Sequence, residues 1–358
     1  MLKQYKIRYF DFKLVFLVSA LSVIGIIAVG SAKPSLQSRQ IAGFAVGLFL
    51  MLVISLFDYS VLLNLYWLMY IFNLAILALV IYMGEDTNGA QRWVTIAGIR
   101  FQPSELAKIL IILFLAQYIY KHKDRFNTFK CISMCCILFV IPAALVLAQP
   151  DLSTTIVICL IFAVIMFTAG VRWRVIIGFL AVAIPSLMIF LYLVLQPEQK
   201  IINQYQANRI VAFFNKEEYA NSIGYQQEYS VMAIGSGQLT GKGYKNNEIS
   251  SVKNADFIAE PQTDFIFAVI GEEFGFVGAC VVIVLIMLIS VECLLIAIAA
   301  GVGAMIGFQG FINIGVVTYL LPNTGLPLPF VSYGLTSLVS SFIGIGFVLN
   351  VGLQCRTK

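Results

Sequence analysis

The sequence predicts an all-α polytopic membrane protein with ten transmembrane helices, one large extracellular loop and both termini in the cytoplasm. Three observations lead there. Of the 358 residues, 60% are hydrophobic and only 11% charged, and the mean hydropathy of +0.92 is beyond what a soluble domain of this length carries. The apolar residues gather into runs of membrane-spanning length. The Lys and Arg residues of the short connections fall on alternate turns, as the positive-inside rule requires.

Taken in order, the runs are Leu14–Val29, Ile41–Phe57, Val61–Met83, Leu106–Tyr120, Cys131–Ala148, Leu152–Ala169, Val175–Leu195, Phe265–Ile296, Gly301–Leu321 and Leu335–Leu353. The first follows Lys3, Lys6, Arg8 and Lys13 and could pass for a signal peptide. It is long for that role and many spans follow it, so it is read as a retained span. With the N-terminus inside, the cluster Lys121-His122-Lys123-Asp124-Arg125 with Lys130, the pair Arg172 and Arg174, and Arg356 with Lys358 all face the cytoplasm. The outer side then receives Glu85–Arg100, the long loop 196–263 and Pro322–Tyr333. No repeat and no Gly/Ser linker interrupts the chain, so residues 1–358 read as one membrane domain.

Composition also excludes chemistries. The seven cysteines lie in apolar runs or in the final tail, which argues against a disulfide framework and against a cysteine metal site. The single histidine, His122, sits in a basic loop, which leaves little for His–metal or Ser-His-Asp chemistry. The net charge of +5 lies largely in short loops and is read as topology, not as a nucleic-acid surface. Carboxylates, Lys and Arg remain, with a cation held by oxygen ligands.

The acid that stands out is Asp264, in Pro261-Gln262-Thr263-Asp264-Phe265, where the polar loop meets an apolar run. An acid entering hydrocarbon costs roughly 2.5–3.5 kcal/mol on the lenient insertion scale, which marks it as a functional candidate; an N-cap is the competing reading. Glu272 and Glu273 follow about two helical turns later. Glu105 and Lys108 are i,i+3 just after Pro103, so they can pair; a Glu favoured by the helix dipole and a Lys snorkelling outward is the plainer alternative. Asp151, in Gln149-Pro150-Asp151-Leu152, is either a cap or a site acid. The run Gly235–Gly243 is glycine-dense around Lys242 and could turn N–H groups toward an anion, or be a plain turn. Ile201–Phe214 has the spacing of an amphipathic helix lying on the outer leaflet. Topology puts Arg92, Glu105, Lys108, Asp151, Lys242 and Asp264 on one side. Such a mixture of cations and carboxylates suits a phosphate-bearing lipid. Outer carboxylates without His or Cys partners suit Mg²⁺ or Mn²⁺ better than zinc, with Asp264 a candidate ligand.

Together these stretches resemble the SEDS family, the RodA/FtsW/SpoVE group of bacterial cell-wall proteins. The matching text is GAQRW (89–93), FQPSELAK (101–108), QPDL (149–152), AIGSGQLTGKG (233–243), PQTDFIF (261–267), EEFG (272–275), FINIG (311–315) and LPNTGLPLPFVSYG (321–334). The resemblance implies a ten-helix fold in the bacterial cytoplasmic membrane. It implies an outward cavity and a peptidoglycan glycosyltransferase that polymerises lipid II beside a class B penicillin-binding protein. It implies that Asp264 is the essential acid; the role read for it is to deprotonate the acceptor hydroxyl or to orient it through a divalent cation. Glu105 and Lys108 correspond to the family's intramembrane pair, which shapes the central cavity; Arg92, Asp151, Lys242 and Gln262 fall on motif positions, and their place in the substrate cavity is read from their charge and side of the membrane. Elongation, division and sporulation roles all occur in the family, and the short tails lean toward the RodA-like elongation role. A lipid II transporter with Glu105–Lys108 as its gate, and a scaffold for the penicillin-binding protein, are the alternatives. The chain departs from the family pattern at Ser290–Gly301, which lacks the usual basic loop; a turn near Ala299–Gly303 would keep the helix count even. Ser153 and Lys216 are smaller departures.

Overall fold

In a computed structural model the described residues are 9–87, 90–96, 99–196, 202, 204–215, 224–245, 251, 258, 260–294 and 299–356. Lys3, Lys6, Arg8, Lys216 and Lys358 lie outside them. Among them, nine helices are long and apolar enough to cross a membrane, and Leu152–Thr168 is a shorter apolar helix. Each predicted run overlaps one of these, and Val61–Met83 is broken at Leu65, so that its span begins at Tyr66. In chain order the helices are α1 (Phe12–Ala32), α2 (Pro34–Leu56), α3 (Tyr59–Asn64), α4 (Tyr66–Met83), α5 (Pro103–Lys121), α6 (Phe129–Ala148), α7 (Leu152–Thr168), α8 (Trp173–Val194), α9 (Gln204–Phe214), α10 (Tyr225–Ser236), α11 (Ile266–Leu294), α12 (Ala300–Val317) and α13 (Leu335–Arg356).

Local chemistry sets several helix starts. Asp11 caps α1 by accepting from Leu14 N at 3.1 Å. Pro34 and Pro103 open α2 and α5, where a missing N–H removes no helical bond. The helix α2 therefore begins seven residues before the apolar run expected at Ile41. Its polar first turns are used: Gln40 is buried and donates to Ser332 O at 3.2 Å.

The core is built by α5, α12 and α13, with α2 along α13, and α11 between α1, α10 and α12. By contrast, only Val194 of α8 is buried; the helix meets α9 through a small cluster of Val194, Ala207 and Ile210. This agrees with the amphipathic reading of Ile201–Phe214, whose described helix starts at Gln204.

The helical class needs one correction. The protein is not wholly α-helical: Glu85–Thr87, Ala90–Ile96 and Ile99–Phe101 form an antiparallel sheet, β1-β2-β3, pairing Thr87 with Ala90 and Ile96 with Ile99. The turn expected near Ala299–Gly303 is there, shifted to its N-terminal edge, since α11 ends at Leu294 and α12 opens at Ala300 and packs back along it. Ala299 is the N-cap of α12, and the link from α11 lies outside the described residues. Gly303 and Gly310 let α12 approach α11. A Cβ on Gly303 would stand 2.9 Å from Ser290 O, and one on Gly310 2.9 Å from Ile286 Cγ2. Small residues at membrane helix contacts act in this way.

At the far end from α5's first turn, the loops 121–130 and 170–174 meet: Asn127 Nδ2 donates to Gly170 O at 3.0 Å and Asn127 Oδ1 accepts from Arg172 N at 3.0 Å. The two basic loops therefore share one end of the bundle, and the candidate acids 105, 151 and 264 gather at helix starts.

Candidate active site

Asp264 sits between a turn and a helix. Thr263 N donates to Glu260 O at 3.1 Å, and α11's first turn closes from Ala268 N to Phe265 O at 2.9 Å. The side chain is half-buried. Burial pushes its carboxyl above the usual carboxylate range; Arg209 pulls it back, the nearby Glu260 raises it, and Arg92 lowers it. Arg209 comes from α9, the helix whose spacing predicts an amphipathic element on the outer leaflet and by itself gives the arginine no role. Gly325 marks how close the groups lie. A Cβ built on it would be 3.3 Å from Asp264 Oδ2 and 3.4 Å from Arg209 Nη1, and its φ of +71° favours glycine.

The loop carrying Gly325, residues 321–334, is tied down on every side. Asn313 Nδ2 donates to Leu326 O at 2.6 Å and to Asp264 O at 2.8 Å. Tyr333 N donates to Gln262 O at 2.9 Å, and Ser332 Oγ donates to Thr263 O. Ser153 Oγ donates to Thr324 O from the start of α7. Gln262 is buried beneath this loop and holds it through its main chain.

Asp151 is a cap as well as a charge partner. Its Oδ1 accepts from Thr154 N at 3.2 Å and its Oδ2 from Thr154 Oγ1 at 2.9 Å, with Gln102 Nε2 at 3.3 Å. Arg92, on β2, lies 3.8 Å away through Nη1 and donates to Pro150 O through Nη2. Asp151 thus anchors the arginine whose charge reaches Asp264.

Glu105 and Lys108 expose 2% and 1% of their surface. Lys108 does not snorkel outward: its Nζ donates to Glu105 Oε1 and Gln309 Oε1, both at 2.8 Å. Burial leaves its charge no water, and the two oxygens replace it.

Lys242 is not brought to this group by any contact described. It pairs with Glu272 at 3.1 Å, and Glu272 also accepts from Ser251. The anion-cradle reading of Gly235–Gly243 is overturned. Lys242 N and Gly243 N donate to the carbonyls of Glu272 and Glu273 at 2.9 and 3.0 Å, and Phe276 N donates back to Gln238 O at 2.8 Å. The glycines permit main chain to lie on main chain: a Cβ on Gly241 would stand 2.1 Å from Glu273 O. Opposite it, α11 is kinked at Gly275, with φ +63°. Glu273 accepts from Ser31 of α1. These acids hold the kink.

The FtsW/RodA/SpoVE family profile, described as a cell cycle protein, matches residues 4–357. The chain belongs to that family. It is 33% identical over 361 residues to the peptidoglycan glycosyltransferase MrdB of Escherichia coli K12, covering 96% of this chain and 93% of that one. It is 30% identical over 373 residues to a probable peptidoglycan glycosyltransferase FtsW of Aliivibrio salmonicida, covering 97% and 90%. Among solved structures, a chain of a peptidoglycan synthase complex, in work on the coordination of polymerization and crosslinking, superposes with a TM-score of 0.80 at 28% identity, over 98% of this chain and 99% of that chain. The rod shape determining protein RodA of Thermus thermophilus superposes at 0.69 with 28% identity, over 98% of each chain. As a member of this family the chain is a multi-pass bacterial membrane protein.

Within this FtsW/RodA/SpoVE chain, the sequence signals for the missed residues were present. Gln309 and Asn313 are amides four residues apart in an apolar helix, a spacing that puts them on one face. Arg209 is the cation of a helix otherwise rich in aromatic and aliphatic residues.

Proposed function

We infer that this chain is a peptidoglycan glycosyltransferase that polymerises lipid II at the outer face of the cytoplasmic membrane. Its 1–358 segment acts as one membrane domain with both termini inside. The basic loops 121–130 and 170–174, which share the opposite end, support that orientation.

The observation that carries the reading is Asp264, a half-buried acid flanked by the fields of Arg209 and Arg92. A glycosyl transfer needs the acceptor's 4-hydroxyl to lose its proton as it attacks the donor's anomeric carbon, while the C–O bond to the pyrophosphate breaks. A carboxylate with a raised pKa is a stronger base for that proton, and a positioned base contributes about 10²–10⁴-fold. Arg209 and Arg92 neutralise the departing pyrophosphate. Attack from the face opposite the leaving group inverts the anomeric centre. Glu105–Lys108 holds the cavity wall.

In the alternative form of the proposal, Asp264 orients the acceptor hydroxyl through a divalent cation. Mg²⁺ characteristically takes one or two carboxylates with substrate phosphates and waters. Asp264, with Glu260 on the preceding turn, fits that donor set, and such an ion would supply further charge to the pyrophosphate. In that form, exhaustive chelation is expected to abolish polymerisation, and Mg²⁺ or Mn²⁺ to restore it; full activity after chelation would remove the ion from the scheme. One of the solved neighbours comes from a synthase complex that couples polymerization to crosslinking, which supports a class B penicillin-binding protein as partner.

Purified protein in nanodiscs with labelled lipid II is expected to make glycan strands, and Asp264→Asn to lose them while melting normally. Strands made at the wild-type rate by Asp264→Asn would overturn the assignment.

A further inference from the structure

Helix α12 presents two buried amides, Gln309 and Asn313, one turn apart, and they grip successive carbonyls of the 321–334 loop. Gln309 Nε2 donates to Pro327 O at 3.1 Å; Asn313 Nδ2 donates to Leu326 O at 2.6 Å and to Asp264 O at 2.8 Å. The orientation of the Gln309 amide is dictated. Lys108 has only donors, so Gln309 must turn its oxygen toward Lys108 and its NH₂ toward the loop. Asn313 faces two carbonyl acceptors, so its nitrogen must point at them, and its Oδ1 is buried without a partner among the described residues.

We propose that Asn313 and Gln309 are positioning residues for Asp264, and that the Glu105–Lys108 pair acts on the reaction through Gln309. The hold runs from Glu105 to Lys108, to Gln309, to the Leu326–Pro327 main chain, and through Asn313 to the main chain of Asp264. Gly325, next in the loop, rests against the Asp264 carboxylate. A slipped loop moves the base, and an error of about 1 Å in a reacting group can reduce the rate about 100-fold. This rests on Asp264 being the base.

The test uses the full chain in nanodiscs with lipid II, comparing Asn313→Ala, Asn313→Asp and Gln309→Met with Asn350→Ala. Asn350 is a control amide, equally buried, donating to Ile54 O at 2.7 Å and Ser55 O at 3.0 Å on α2. The expected result is a kcat reduced about 100-fold in the Asn313 variants and about tenfold in Gln309→Met, with KM within about threefold. Amide exchange should accelerate in 260–265 and 321–334. Asn350→Ala is expected to lower Tm and keep kcat. Folded Asn313→Ala or Gln309→Met with wild-type kcat overturns the proposal, as does unchanged exchange in both segments. Should Asn313→Ala fail to fold, Gln309→Met decides, since it keeps the side-chain volume and removes only the hydrogen bonds. Activity in Asp264→Asn would instead defeat the assignment of the base; the catalytic role of the amides falls with it, and exchange then judges the tether alone.

Discussion

Two groups of opposite charges stand within one hydrogen-bonded network, and their surroundings give them different tasks. Glu105 and Lys108 are buried among helices, and each is held by a short bond. Asp264 is half-open, and its two nearby guanidiniums belong to other elements, Arg209 on α9 and Arg92 on β2. A sealed pair resists rearrangement because any motion exposes an unpaired charge to an apolar interior. An open acid can exchange partners with a ligand. The transporter reading asks Glu105–Lys108 to open and close as a gate, which requires Lys108 to leave Gln309 as well as Glu105.

The largest effect should come from breaking the sealed pair. Lys108→Met leaves Glu105 buried and uncompensated, a loss of about 3–5 kcal/mol, and it frees the Gln309 amide to turn. Thermal unfolding and polymerisation should both fall sharply. Glu105→Met combined with Lys108→Met should recover much of the stability and little of the activity. Full activity in that double variant would show that the pair serves only as ballast in the core.

The open group should respond through pH and with a smaller change. Asp264 acts as its carboxylate, so activity rises as pH climbs through its pKa. Arg209 is the leading influence that lowers this pKa against the effect of burial. Arg209→Gln should therefore move the acid limb of the kcat/KM profile to higher pH, with a fall of about tenfold near neutrality. An acid limb left in place would mean that Arg209 does not act on the base.

How much of this could be read in the residues follows from the range of each signal. Hydropathy reports burial in lipid, so the long helices were visible, but it is silent on a polar helical turn such as Ser35–Gln40. The sheet has a local signal that hydropathy does not carry: Asn88-Gly89, between the paired Thr87 and Ala90, is a strong two-residue hairpin signature in the sequence, and Arg92 owes its place to that sheet. The acids at 105, 151 and 264 stood out because charge is rare in an apolar chain. Their partners were harder to read. The contacts of Arg209 and Asn313 with the Asp264 region span 55 and 49 residues of sequence, and no local pattern encodes such a pairing.

The smallest effect belongs to a third pair, and it separates proximity to the site in sequence from proximity in chemistry. Lys242 sits in a glycine-rich motif suggestive of phosphate binding, yet its loop spends the N–H groups of Lys242 and Gly243 on the carbonyls of Glu272 and Glu273. Lys242 keeps 19% of its side chain exposed, so the bond to Glu272 is partly screened by water. Lys242→Gln retains a donor for Glu272, whose side chain is 3% exposed, and the expected loss of stability is about 1–3 kcal/mol. Polymerisation should stay within about twofold, because an exchanged side-chain partner leaves the backbone ladder between the loop and α11 intact. Gly241→Ala is the informative counterpart: a Cβ there would meet Glu273 O at 2.1 Å and disturb that ladder. If Lys242→Gln cost more activity than Gly241→Ala, the lysine would have to reach the substrate, and the division between structural and chemical charges would need redrawing at this end of α11.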